Sequence, residues 1–145
     1  MTIFESLSTW IWDILTDPAN EFPGQYNIFA EVLPDQTGAE NTALFSNPND
    51  IQTPLNGGQV KNESYKTFYI RKNFLEQQTR MNNEVFFEKL RKCIHMKNLR
   101  AVYPQDGRKW RGIYYQGGIF VTQREPNNEH AIYQVNLKLV YEEIG

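Results

Sequence analysis

From Ile132 to Tyr141, the residues Tyr133, Val135, Leu137, Leu139 and Tyr141 alternate with Gln134, Asn136 and Lys138. Successive side chains of a strand point to opposite faces, so this period of two predicts a strand with one face on a core and the other toward water. A sheet of that kind needs a cover, and the chain holds two segments with the 3.6-residue rhythm to provide it. In the first, apolar residues recur at Ile3/Phe4, Leu7, Trp10/Ile11 and Ile14/Leu15; in the second, at Phe86/Phe87, Leu90 and Cys93/Ile94, with Met96 or the stem of Lys97 next in the stripe. The order of elements predicts an α+β fold: an antiparallel-rich mixed sheet with two helices packed on one face. A chain of 145 residues suits a single domain, 1–145, able to bury a sizeable core without disulfides or metals.

Local signals place the boundaries. Thr2 and Glu5 fit a capping box, in which each side chain satisfies a free backbone N–H at the start of the first helix. Asp17-Pro18 ends it, because the proline ring disfavours helical geometry at the residue before it. Trp12 lies off the apolar stripe, which leaves partial burial under a neighbouring loop or a subunit contact. Asn82-Asn83 is read as the cap of the second helix, which runs to about Asn98. Its early Glu84 and Glu88 and later Arg91, Lys92 and Lys97 complement the helix dipole. Tyr26 to Leu33 reads as a strand. Ser64 to Phe74 reads as an edge or half-exposed strand, because Lys66, Arg71 and Lys72 are mixed into it. Lys109–Tyr115 and Ile119–Gln123 are strand-like runs separated by Gly117-Gly118, a tight turn or a bulge. Residues 34–62 are expected to form an extended arm or flexible loop that orders on assembly. Asn47-Pro48-Asn49-Asp50 and Asn56-Gly57-Gly58 are its turn signals, and Ala43-Leu44-Phe45 and Ile51 are candidates for anchors or a short strand pair.

The net charge of −2 conceals a division. Residues 1–60 hold eight acids (Glu5, Asp13, Asp17, Glu21, Glu31, Asp35, Glu40 and Asp50) and no lysine or arginine, whereas residues 61–145 hold all 15 bases and nine acids. The two parts therefore carry −8 and +6. Such a chain is not a general nucleic-acid binder by composition; it can pair an acidic surface with a basic one, within a subunit or between subunits.

Chemistry-bearing motifs are absent. The two histidines, His95 and His130, fall in no metal-ligand spacing. Cys93 and His95 point about 200° apart on a helix, so they form no local nucleophile pair. There is no glycine-flanked serine, no phosphate-cradling glycine loop and no pair of carboxylates set to cooperate. The reading is of a non-enzyme with no cofactor and no metal. Arg108, Lys109 and Arg111 beside Trp110, Tyr114 and Tyr115 are the best nucleic-acid candidates, since bases interleaved with aromatics suit phosphate contact and stacking. The competing reading is a solvated strand edge or the basic partner of an acidic neighbour. The apolar stretch Trp10-Ile11-Trp12 is flanked by Glu5 and Asp13, unlike a signal peptide or membrane span.

Several stretches, taken together, resemble the tail-terminator (minor capsid or minor tail) proteins of long-tailed bacteriophages. They are the amphipathic helix Thr2 to Leu15, the passage "YKTFYIRKNFLEQQTRMNNEVFFEKLRKCI", and "GGIFVTQREPNNEHAIYQVNLKLVYEE". The resemblance spans most of the chain and rests on patterns of hydrophobicity and aromatics; the region from Asp35 to Gly58 departs from it most. It implies a structural virion protein that forms a ring, usually a hexamer, at the head-proximal end of the tail. Its partners would be the major tail tube protein, whose polymerisation it ends, and the head–tail connector protein. DNA would pass through the ring in a transient, sequence-independent contact. Subunits meeting head-to-tail in a ring need two different complementary patches. Asp35, Glu40 and Asp50 on one side, Arg108, Lys109 and Arg111 on the other, and Trp12 are the candidate interface or lumen residues. Another neck component, such as a tail-completion or connector protein, and a monomeric binding module are the other classes compatible with the chain.

Overall fold

The structure is a computed structural model that describes residues 1–22, 28–31, 33, 41–47, 50–125 and 129–144. Helix α1 (Ile3–Thr16) is followed by a short 3-10 turn and strands β1 (Ile28–Ala30), β2 (Thr42–Ser46), β3 (Ile51–Pro54) and β4 (Gln59–Asn73). Helix α2 (Gln77–Leu99) then leads to β5 (Lys109–Arg124) and β6 (His130–Ile144). The strands form one sheet in the order β1-β2-β4-β6-β5, with β3 also paired to β4; among the described residues only β1 and β2 are parallel. This is the α+β architecture expected from the sequence.

One face of the sheet carries the core. Phe68 and Ile70 of β4 stand opposite Val135 and Tyr133 of β6, and Leu44 of β2 and Ile113 of β5 join the same face. Both helices bury their apolar stripes there: Leu7, Trp10, Ile11, Ile14 and Leu15 from α1, and Phe86, Phe87, Leu90 and Ile94 from α2. The alternation in β6 does what it predicts, with Tyr133, Val135, Leu137, Leu139 and Tyr141 all buried. The Phe87 and Tyr133 rings meet at 4.7 Å, which locks helix to sheet through aromatic packing.

The capping box is formed as expected: Thr2 Oγ1 accepts from Glu5 N at 3.1 Å, and Glu5 Oε1 receives the Thr2 N–H. Thr2→Ala should lower thermal stability by about 1 kcal/mol, the usual value of an N-cap. Unchanged melting would show that tertiary packing alone holds the first turn.

Three expectations are corrected. Helix α2 begins at Gln77, well before Asn82-Asn83. Asn83 is an interior residue whose buried amide donates to Asn73 O at 2.8 Å, so its polarity serves a tertiary bond in place of a cap. Strand β4 is central, with β2 and β3 on one side and β6 on the other. Its Arg71 and Lys72 are buried because neighbours accommodate them: Arg71 Nε donates to Glu125 at 2.7 Å, and Lys72 Nζ lies 4.2 Å from the centre of the Phe86 ring.

The third correction concerns the 34–62 segment, which is largely paired where it is described. β2 lies along Lys66–Ile70 and β3 along Val60–Glu63, so both follow one edge of β4. At the break between them, Asn47 N donates to Tyr65 O (3.1 Å) and Tyr65 N donates to Asp50 Oδ1 (3.2 Å), which returns the chain to the same edge. The turn after β3 closes through Leu55 N to Gln59 O at 2.8 Å, with Gly57 and Gly58 at positive φ. Residues 50–59 are exposed throughout. The arm is thus an exposed hairpin end of the sheet, its second strand also paired to β6. Gly117-Gly118 lies within β5, where the pairing with β6 shifts between Gln116 and Phe120: a bulge, with Gly117 at φ 70°.

Candidate functional site

The basic run at the start of β5 is built around an acid. The Asp106 side chain is 1% exposed and accepts four hydrogen bonds. Two come from Ser6 Oγ (2.6 Å) and Trp110 Nε1 (2.9 Å), and two from the Arg108 backbone N–H (3.1 Å) and Arg108 Nη1 (2.7 Å). Burial pushes its carboxyl up, but the bonds from Ser6, Trp110 and Arg108 outweigh that and hold it down at about 2. Asp106 thereby fastens the first turn of α1 to the start of β5.

Arg108 is committed twice, to Asp106 and through Nε to Glu143 Oε2 at 3.2 Å, while its guanidinium sits over the Tyr141 ring. Arg111 pairs with Glu142. Of the three candidate bases only Lys109, an exposed residue, makes no ion pair among the described residues. Glu142-Glu143, adjacent at the end of β6, are the partners of two arginines. The run thus matches the reading as basic partner of acidic neighbours, with those acids in the same chain. Arg111 is half exposed, so Arg111→Ala should change unfolding free energy by about 0.5 kcal/mol or less, as for other surface pairs. A loss several times larger in denaturant titration would contradict this.

Trp12 is 48% exposed and lines a shallow hollow with Ser8, Thr9 and Ile28. Asp50 is exposed at the base of the hairpin end. Asp35 and Glu40 lie outside the described residues. All six described acids of the first sixty residues (Glu5, Asp13, Asp17, Glu21, Glu31 and Asp50) are exposed. None of their carboxylates is within 4 Å of a cation among the described residues, and every ion pair there joins acid and base from residues 61–145.

Sequence reasoning missed a groove between α2 and β5. Its two lobes, about 620 and 560 Å³, share Glu88 and Arg91. One is lined by Lys92, His95, Tyr114 and Tyr115, the other by Arg80, Arg124, Glu84 and Tyr133. Arg80 and Arg124 lie over the Phe74 ring at 5.3 and 5.4 Å, and Arg91 over Tyr115 at 5.7 Å. None of these three arginines has a carboxylate within 4 Å among the described residues. Burial pushes the Tyr115 phenol up to about 12 against the lowering charge of Arg91. The spacing of Arg80, Glu84, Glu88 and Arg91 along one side of α2 was legible; its meeting with Arg124 of β5 was not.

Cys93 is a partly buried free thiol, pushed up by burial. His95 is exposed and His130 buried. Among the described residues no group of three His, Cys, Asp or Glu side chains is placed to hold a metal ion, and no helix is long and apolar enough to cross a membrane. No protein-family model matches the chain, and no curated protein sequence matches it.

Proposed function

We propose that this chain is a structural assembly subunit that forms a ring, of the tail-terminator kind, ending tail-tube polymerisation and joining the tail to a head connector. The observation that carries the reading is the state of the acidic first sixty residues. Six exposed acids have no cation within 4 Å of their carboxylates among the described residues, although the chain has 15 bases. Charges left outside intramolecular pairs are available to steer and register association with another surface. The segment 50–59, exposed throughout, suits the same role, since among the described residues β3 is paired to β4 alone and its other edge is open. The work of such a protein is binding, with DNA passing the ring transiently and without sequence preference.

The decisive experiment mixes the purified chain with polymerising tail-tube protein and measures tube lengths by electron microscopy. A terminator stops growth and leaves a ring at one end of each tube. Binding to the head connector without any effect on tubes would favour a different neck component. A chain that binds neither and remains monomeric would sink the ring reading in favour of a solitary binding module.

A further inference from the structure

Helix α2 separates two charged surfaces. Lys89 and Arg91 are two residues apart and so point about 200° from each other. On the Lys89 flank the helix meets the end of α1: Lys89 Nζ donates to Glu21 O at 3.2 Å and lies over the Phe22 ring. Cys93 on the same flank feels the charges of Lys89, Asp17 and Lys97. Asp13, Asp17 and Glu21 follow at four-residue intervals along the end of α1 and the 3-10 turn after it; all are exposed, and none of their carboxylates is within 4 Å of a cation among the described residues. On the opposite flank lies the α2–β5 groove, where Arg80, Arg91, Lys92 and Arg124 outnumber Glu84 and Glu88. Its arginines rest on aromatic rings, which holds the guanidinium groups in place; Arg80 Nη1 donates to the Phe74 and Leu75 carbonyls, and Arg91 and Arg124 have no carboxylate within 4 Å among the described residues.

We propose that the groove between α2 and β5 is the docking surface for the Asp13/Asp17/Glu21 ladder of a second copy of this chain. The proposal rests on the ring reading and supplies its contact. An acidic ladder and a basic groove on opposite flanks cannot satisfy one another within a subunit. A head-to-tail pairing satisfies both, and repeating it closes a ring or extends a filament. Carboxylates of the neighbour match Arg91 and Arg124 in charge and in hydrogen-bonding shape, because a planar guanidinium binds a carboxylate through two parallel N–H bonds. The contact uses none of Arg108, Asp106 or Glu143, which hold the subunit itself together.

The test uses the full chain in two variants of exposed residues, Arg91→Glu/Arg124→Glu and Asp13→Lys/Glu21→Lys. Mass is measured by light scattering and sedimentation up to millimolar concentration at low and high salt. The wild type should self-associate, with affinity falling about tenfold or more at high salt. Each variant alone should remain monomeric, with unchanged circular dichroism and a melting transition that stays cooperative. An equimolar mixture of the two should associate again, because each then meets a complementary surface. A wild type that stays monomeric, variants that associate as well as it does, or a mixture that stays monomeric would overturn the proposal. Loss of binding to a short DNA duplex in the arginine variant, with self-association intact, would overturn it in favour of a nucleic-acid groove. Failure here is separable from failure of the terminator reading. If the arginine variant still caps tubes, the groove is wrong and the terminator stands; if salt-sensitive, swap-rescued association occurs without tube capping, the groove stands and the terminator falls.

Discussion

Asp106→Ala should destabilise the fold by about 3 kcal/mol, a loss of roughly 10 °C in melting temperature for a chain of this size. Removing the carboxylate strands the Trp110 indole N–H, the Ser6 hydroxyl and the Arg108 backbone N–H, and leaves Arg108 with Glu143 alone. The buried groups then lack both water and partner, and that desolvation, more than the bonds themselves, sets the size of the effect. The same site predicts an acid response. The folded carboxyl is depressed from 3.8 to about 2, so its contribution is fully present above the unfolded pKa and is lost as pH falls through the folded one. The linked free energy is about 2 kcal/mol, declining between roughly pH 4 and pH 2. Asp106→Asn keeps the shape and removes the titration. The stability gap between wild type and Asp106→Asn should therefore shrink by that amount over this interval. Urea titrations at a series of pH values measure it, and a gap that stays constant would contradict the assignment.

Asn98→Ala should cost about 3 kcal/mol, because one amide there takes the place of a missing strand. β5 is an edge strand, and such an edge leaves backbone donors and acceptors open. Asn98, near the end of α2, closes part of it: its Oδ1 accepts from Ile113 N at 2.9 Å and its Nδ2 donates to Ile113 O. The same side chain donates to Ile94 O at 3.1 Å and accepts from the Tyr103 hydroxyl at 3.0 Å. Asn98→Asp retains the shape but turns a carboxylate oxygen toward the Ile113 and Ile94 carbonyls, so it should fare no better than alanine. Denaturant unfolding of both variants, with amide exchange at Ile113 as the local reporter, checks this. Wild-type protection of that amide in Asn98→Ala would show that the edge is held by something else.

Both sites show what a linear reading lacks. The one-faced strand β6, the capping box at Thr2 and Glu5, and the core stripe of α2 are set by residues two, three or four positions apart, where chain geometry alone decides the neighbour. Those features follow from the sequence. Arg71 and Lys72 point the other way: charges in a strand suggest an exposed edge, yet β4 is central, because Glu125 and Phe86, distant in sequence, receive them. Asn83 misleads similarly, being a good cap by type and an interior donor in place.

The candidate site divides along the same line. The sequence by itself determined that the first sixty residues are acidic without a single base, and that the bases lie beyond them. It did not determine which bases are available. Arg108 and Arg111, chosen for their spacing, are taken by Glu143 and Glu142, 35 and 31 residues away, through the β5–β6 pairing. Arg80, Arg91 and Arg124, unremarkable along the chain, line one groove because α2 packs beside β5. Charge is a property of composition and can be counted. Whether a charge is spent or free depends on which residues the sheet register and the helix packing bring within about 4 Å, and only the tertiary structure decides that.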